Sequence, residues 1–287
     1  ELLEARTYEH GEKPGLFAEA DSRIWSYSEF NAAVNQTSDL LNSAGIRKGD
    51  VVSLLLPNSP EYIIAYFACW KIGALAGPVN SLLKSEEIEW VVGNSESKLL
   101  IVNSAFGSVI ENVVKPPVLN FDNVGLAAGG YSNEFEPVEL AQDDEAIIIY
   151  TSGTTGKPKG CLLTHGNLIA NARQITEWMS FGPEDRLLSV MPLFHMNAVT
   201  VTTMTALYCG GSTVVSPKFS ASRFWDIVER YKITSFGSVA TMLSMLLSGE
   251  SPMVSGQRDD PRSKLQDPRS RSLRFAMCGS APVPAET

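Results

Sequence analysis

The chain has 287 residues, 44% hydrophobic and 19% charged, a balance that fits a soluble globular protein with one large core or two smaller ones. A formal net charge of −9 argues against nucleic acid or an anionic membrane as a main partner, because both repel such a surface. The longest apolar stretch, residues 63–79, is broken by Lys71 and is no integral membrane segment.

Ser26 followed by Glu29 is a capping-box pattern, and it opens a helix carrying Phe30, Val34, Leu40 and Leu41 that Gly45 closes. Residues 51–56 read as a strand. Ser59-Pro60 then starts a second helix, since a capping hydroxyl is followed by a residue whose missing N–H is no loss at the first helical position. Strand-like runs recur at 76–79, 99–102, 118–121, 146–150, 187–190, 213–215 and 274–277. Helical patterns fall between them at 85–92, 167–178, 220–231 and 241–247. This alternation predicts an α/β protein with mostly parallel sheets.

Two segments depart from the alternation. Residues 116–156 contain no lysine or arginine but include Asp122, Glu134, Glu136, Glu139, Asp143, Asp144 and Glu145, and their Gly-Gly centre reads as a surface connection. Residues 249–272 are rich in Arg, Asp, Ser and Pro and read as a mobile surface loop. The cysteines, Cys69, Cys161, Cys209 and Cys278, are too scattered for a zinc site or a disulfide framework. Three of them lie in apolar neighbourhoods and read as small buried hydrophobes of a reducing, cytoplasmic compartment.

Residues 150–160, YTSGTTGKPKG, follow the apolar run Ile147-Ile148-Ile149 and supply four aliphatic hydroxyls, three glycines and two lysines. Such a loop suits wrapping backbone N–H groups and hydroxyls around a phosphate chain, with ammonium groups near the charge. It is not a Walker A loop, because Thr151 stands at the first glycine position and Pro158 follows Lys157. His195 sits in MPLFHMNA, residues 191–198, after an apolar strand. His165, in LTHGN, reads as structural, at a helix start with Thr164 or Asn167 as cap.

The phosphate-type loop, MPLFHMNA, WSYSEF (25–30), WKIGALAGPVN (70–80) and CGSAPVPAE (278–286) together resemble the ordered motifs of the adenylate-forming superfamily: acyl-CoA synthetases, luciferases and peptide-synthetase adenylation domains. The resemblance covers nearly the whole chain. It implies the layered αβαβα large N-terminal domain of that fold, with one lobe at about residues 50–181 and another combining about 1–49 with 187–287. It also implies ATP, Mg2+ and coenzyme A as cofactors, and a small-molecule carboxylic acid as substrate. The acid is activated to an acyl-adenylate and then passed to the thiol.

Carried onto this sequence, the resemblance assigns Thr151, Ser152, Gly153, Thr154, Thr155, Gly156 and Lys157 to the β- and γ-phosphates. It sets Gly279, Ser280, Ala281 and Pro282 against adenine. His195 becomes the catalytic candidate, between the carboxylate pocket and the adenylate. His195, Met196, Asn197, Phe236, Gly237, Val239 and Ala240 become the candidate pocket; many relatives have proline where Ala240 stands, which leaves pocket depth open. Amino-acid activators carry Phe-Asp where this chain has Phe194-His195, so a fatty or other acyl acid is favoured. The rival readings are an aryl or amino-acid module loading a carrier protein, and a non-catalytic nucleotide-binding relative. A homo-oligomer is left open.

The basic cluster Arg258, Arg262, Lys264, Arg269 and Arg271 fits a solvated loop of mixed charge better than a site for coenzyme A phosphates. No metal ligand is assigned within the chain. The superfamily's magnesium-binding glutamate, ribose-binding aspartate, hinge and lysine-bearing C-terminal domain would all follow Thr287. By this resemblance the chain is a fragment, expected to turn over little alone. Without nucleotide, residues 153–158 are expected to be mobile.

Overall fold

A computed structural model describes residues 2–111, 113, 116–151, 158–248 and 268–279. From its N-terminus the chain forms α1 (Leu2–His10), β1 (Pro14–Ala18), β2 (Ile24–Ser26), α2 (Tyr27–Ser43), β3 (Val51–Leu55), α3 (Pro60–Lys71) and β4 (Leu75–Pro78). Then come α4 (Ser85–Asn94), β5 (Leu99–Val102), α5 (Gly107–Ile110), β6 (Val118–Asn120), α6 (Val124–Ala128), β7 (Glu145–Thr151), β8 (Lys159–Thr164) and α7 (His165–Met179). The remainder forms β9 (Arg186–Ser189), a π-helix (Asn197–Met204), α8 (Thr205–Tyr208), β10 (Ser212–Val215), α9 (Ala221–Tyr231), β11 (Ser235–Ser238), α10 (Ala240–Ser248) and β12 (Phe275–Cys278).

The strands form two six-stranded sheets, ordered β6-β5-β3-β4-β7-β8 and β12-β11-β9-β10-β1-β2. Each is parallel except at one edge, where β8 and β2 return antiparallel to β7 and β1. Parallel sheets need both faces covered, and the strands show it. In β5, Leu99 and Ile101 enter the central core shared by both sheets, while Leu100 and Val102 face a second core under α4. In β10, Val215 enters the central core and Val214 the core beneath α9. The layers are therefore αβαβα, with α3 in the middle. All twelve residues of α3 are buried, as expected of a helix packed between two sheets. The apolar stretch 63–79 is this helix followed by β4.

The predicted caps are present. Ser26 and Glu29 form the reciprocal capping box of α2, and Ser59 caps α3 by accepting from the Tyr62 N–H at 3.4 Å. Several elements escaped the sequence reading, β8 and β11 among them. The helix α1 buries only Leu3 and is held by tertiary bonds, Arg6 Nη2 donating to the Tyr208 carbonyl at 2.7 Å. Strand β2 has only three residues, and β1 opens on Pro14-Gly15, a pair that favours turns over strands. The π-helix is threonine-rich, with hydroxyls bonded back to its own turns, as in Thr203 Oγ1 to the Ala198 carbonyl at 2.8 Å.

Two further expectations need correction. Of the cysteines, only Cys69 is buried, its thiol pushed up to about 12 by desolvation; Cys161 is exposed, because it lies on the edge strand β8. The Gly129-Gly130 turn is exposed as expected, but its flanks are more than a surface connection. Tyr131 and Phe135 pack on the central core, and the Val138 N–H donates to the Lys71 carbonyl at 3.0 Å.

Candidate functional site

Strands β9, β11 and β12 are neighbours running the same way, so their carboxyl ends lie side by side. Open α/β sheets bind ligands in the crevice outside such ends. Beyond β9 the chain leaves the ladder and turns back at residues 192–195, where the His195 N–H donates to the Pro192 carbonyl at 2.9 Å. The His195 carbonyl then accepts from Ala198 and Val199, which launches the π-helix. The buried Phe194 ring anchors the turn, and the His195 ring lies against it at 4.6 Å between centroids, with the imidazole exposed on its other side. Partial desolvation lowers the imidazole pKa from its ordinary value and so favours the neutral ring.

Asn197, the first residue of the π-helix, presses its side chain on β11. A Cβ at Gly237 would stand 2.3 Å from Asn197 Oδ1 and 3.1 Å from Thr202 Cγ2, so this close approach of helix and strand requires glycine. Asn197 Oδ1 is itself buried with no hydrogen-bond partner. On the next strand the Gly279 N–H donates to the Ser238 carbonyl at 3.3 Å, continuing the β11–β12 pairing. His195, Met196, Asn197, Gly237, Ala240 and Gly279 thus belong to one edge of one sheet. Phe236 does not join them: strand alternation turns it to the opposite face, 2% exposed, where it packs edge-on against Phe224 at 4.8 Å. Val239 is partly buried against that same core. Ser280, Ala281 and Pro282 lie outside the described residues.

The phosphate-type loop joins β7 to β8. Ser152, Gly153, Thr154, Thr155, Gly156 and Lys157 lie outside the described residues, as does the mobility expected of all but Pro158 in 153–158. Its two limbs are described and paired to their ends, Tyr150 opposite Gly160 and Thr151 opposite Lys159. Tyr150 is tied to α4, its hydroxyl donating to Asn94 Oδ1 at 2.8 Å while Trp90 meets its ring edge-on at 5.9 Å. A side chain at Gly160 would strike Ile148 Cδ1 at 2.9 Å. Exposed Thr151 and Lys159 therefore leave a braced hairpin.

One residue of the site escaped the sequence reading. Asn58, in the turn between β3 and α3, bonds Met191, Leu193 and Ser216, in the segments that follow β9 and β10 of the other sheet. Its only sequence signal is an Asn beside a Ser-Pro helix start, which a turn explains equally well.

A cavity of about 400 Å³ lies elsewhere, lined by Leu2, Trp70, Lys71, Gln142, His165 and Ile169 among others. Its buried cation is already matched: Lys71 Nζ contacts Glu4 Oε1 at 3.0 Å and Asn31 Oδ1 at 3.1 Å, and bonds Asn35 Oδ1. His165 begins α7 there, capped by the Thr164–Asn167 box as expected. Of the basic cluster, 258, 262 and 264 lie outside the described residues, and Arg269 pairs with Asp226 at 2.5 Å. Among the described residues no helix is long and apolar enough to cross a membrane, and no cluster of three or more His, Cys, Asp or Glu could hold a metal ion.

A sequence profile of the family described as AMP-binding enzyme matches residues 3–287. The crotonobetaine/carnitine–CoA ligase of Escherichia coli O127:H6 is 33% identical over 259 residues, which cover 83% of this chain and 50% of that protein. The chain spans about half the length of the curated relatives it matches. Among solved structures, the inhibitor-bound N-terminal domain of FACL13 from Mycobacterium tuberculosis superposes with a TM-score of 0.86 at 27% identity, covering 99% of this chain and 70% of that one. ATP-bound MatB from Rhodopseudomonas palustris gives a TM-score of 0.86 at 26% identity, covering 99% of this chain and 56% of that one.

Proposed function

The chain belongs to the AMP-binding enzyme family, and on that footing we propose that it serves the ATP-dependent activation of a carboxylic acid to an acyl-adenylate, followed by transfer to coenzyme A. The observation that carries this reading is the gathering of His195, Asn197, Gly237 and Gly279 at the carboxyl edge of β9, β11 and β12. Relatives named as CoA ligases and fatty acyl CoA synthetases support it.

In this proposal Thr151, Ser152, Gly153, Thr154, Thr155, Gly156 and Lys157 hold the β- and γ-phosphates and neutralise charge as pyrophosphate departs. Gly279, Ser280, Ala281 and Pro282 lie along adenine. The neutral His195 imidazole sits beside the reacting carboxylate without adding a cation that would hold it in the ground state. Met196, Asn197, Gly237 and Ala240 line the acyl side, and Gly237 keeps that wall thin. Mg2+ would supply charge neutralisation on the phosphates; the described residues form no cluster for it, so no step here is assigned to it.

The acid lacks an α-ammonium, because the Phe194-His195 pair offers that cation no carboxylate. Burying it unpaired would cost ~3–5 kcal/mol, a preference of at least about a hundredfold. The test is pyrophosphate release by the full-length protein with hexanoate and norleucine, followed by assay for acyl-CoA when coenzyme A is added. Hexanoate ahead by that factor, with an acyl-CoA product, is the expected result. Norleucine equal or ahead, or acyl transfer only to a carrier protein, would overturn it.

A further inference from the structure

We propose that Asn58 is the positioning residue that sets His195 in place, so that one sheet orients the reactive side chain of the other. This rests on the acyl-adenylate reading of the His195 segment. Asn58 follows β3 of the first sheet, whereas His195 follows β9 of the second. Asn58 Nδ2 donates to the Met191 carbonyl at 2.8 Å and the Ser216 carbonyl at 3.3 Å, and its Oδ1 accepts the Leu193 N–H at 2.8 Å. A single amide thereby ties together the chain just beyond β9 and just beyond β10. Tyr66, eight residues further along the same segment, donates its hydroxyl to the Leu193 carbonyl at 2.8 Å. Both polar groups of Leu193 are thus held by side chains from residues 58–66, in a place where no strand partner serves them.

Pro192 stands between the two residues that Asn58 holds, and its carbonyl receives the His195 N–H at 2.9 Å. Fixing Met191 and Leu193 therefore fixes the carbonyl on which His195 closes its turn. Leu193 is fully buried and Phe194 nearly so, which leaves His195 as the exposed end of an anchored turn. The role needs a donor and an acceptor in one plane at this length. Aspartate keeps the bond from Leu193 but loses both donations and sets a carboxylate against two carbonyls. Glutamine carries an extra methylene.

The test is a double-mutant cycle in the full-length protein, with N58D and Y66F each made alone and with H195A. Turnover and KM for pyrophosphate release are measured beside the NMR titration of the His195 ring. N58D is expected to lower kcat by at least about tenfold with KM little changed, since small misplacements of a catalytic group are costly. Its effect should disappear in the H195A background, and the His195 ring should titrate closer to a free imidazole. Y66F, which removes one buried oxygen, should act in the same direction and carries the cycle if N58D does not fold. Equal losses with and without H195A, or an unchanged His195 titration, would overturn the proposal. If H195A alone keeps full activity, the reading of His195 fails instead, and the ring titration still decides whether Asn58 positions it.

Discussion

At the scale of single residues, the site depends on a depressed histidine and an obligatory glycine. The folded chain disfavours the charged form of His195 through partial desolvation, so the ring should titrate below the ordinary imidazole value of about 6.5. The sign for stability follows by linkage. The unfolded chain binds this proton more readily, so the contribution is fully present above the ordinary value and is lost as pH falls toward the folded one. NMR titration of the ring should give a midpoint under the ordinary value, and the acid limb of activity should follow it; a midpoint at or above 6.5 would contradict the burial argument. Gly237→Ala places a Cβ 2.3 Å from Asn197 Oδ1 and should cost ~1–3 kcal/mol by overpacking. Since that oxygen has no partner to lose, adding Asn197→Ala should recover most of the stability in urea unfolding. No recovery would mean that Thr202, at 3.1 Å, is the real obstacle.

At the scale of elements, the ends matter more than the interiors. Helix α7 starts immediately after β8 and is fixed by the reciprocal bonds of Thr164 and Asn167 at 3.2 and 3.0 Å. Thr164→Ala should therefore cost ~0.5–2 kcal/mol, the usual worth of a helix N-cap, as read by thermal unfolding. A change within error would show that packing of Leu168 and Ala172 holds the helix start without its cap. The π-helix behaves differently. The hydroxyls of Thr200, Thr202 and Thr203 bond to carbonyls four or five residues earlier, and Asn197 and Thr202 press on β11 at Gly237, contacts that neither propensity nor periodicity marks.

At the scale of the whole molecule, one core joins both sheets. Leu16 and Val215 of the second sheet share it with Val52, Ile101 and Ile147 of the first, through α2 and α3. Trp70 stands in this core, its indole donating to the Ala146 carbonyl at 2.8 Å, while Trp25 lies on the β1–β2 edge. Two sheets sharing one interior should unfold together. Tryptophan fluorescence and far-ultraviolet circular dichroism should give coincident transitions in denaturant. Two separated transitions would show that the sheets are independent units.

The sequence by itself determined the features whose physics is local. Ser26 with Glu29 and Ser59 with Pro60 mark helix starts because a hydroxyl and a missing N–H act within one turn. Apolar runs such as 99–102 and 187–190 mark buried strands, and the ordered motifs mark the superfamily and the candidate residues. Only the tertiary structure decided what depends on neighbours distant in sequence. It turned Phe236 away from Gly237, exposed Cys161 at a sheet edge, bound Arg269 to Asp226 and gave α1 its anchor on α8. It also made Asn58 a bridge: the bonds that define its role span 133, 135 and 158 residues of sequence. A side-chain amide carries no local sign of its partner, because the partner is chosen by how two sheets pack.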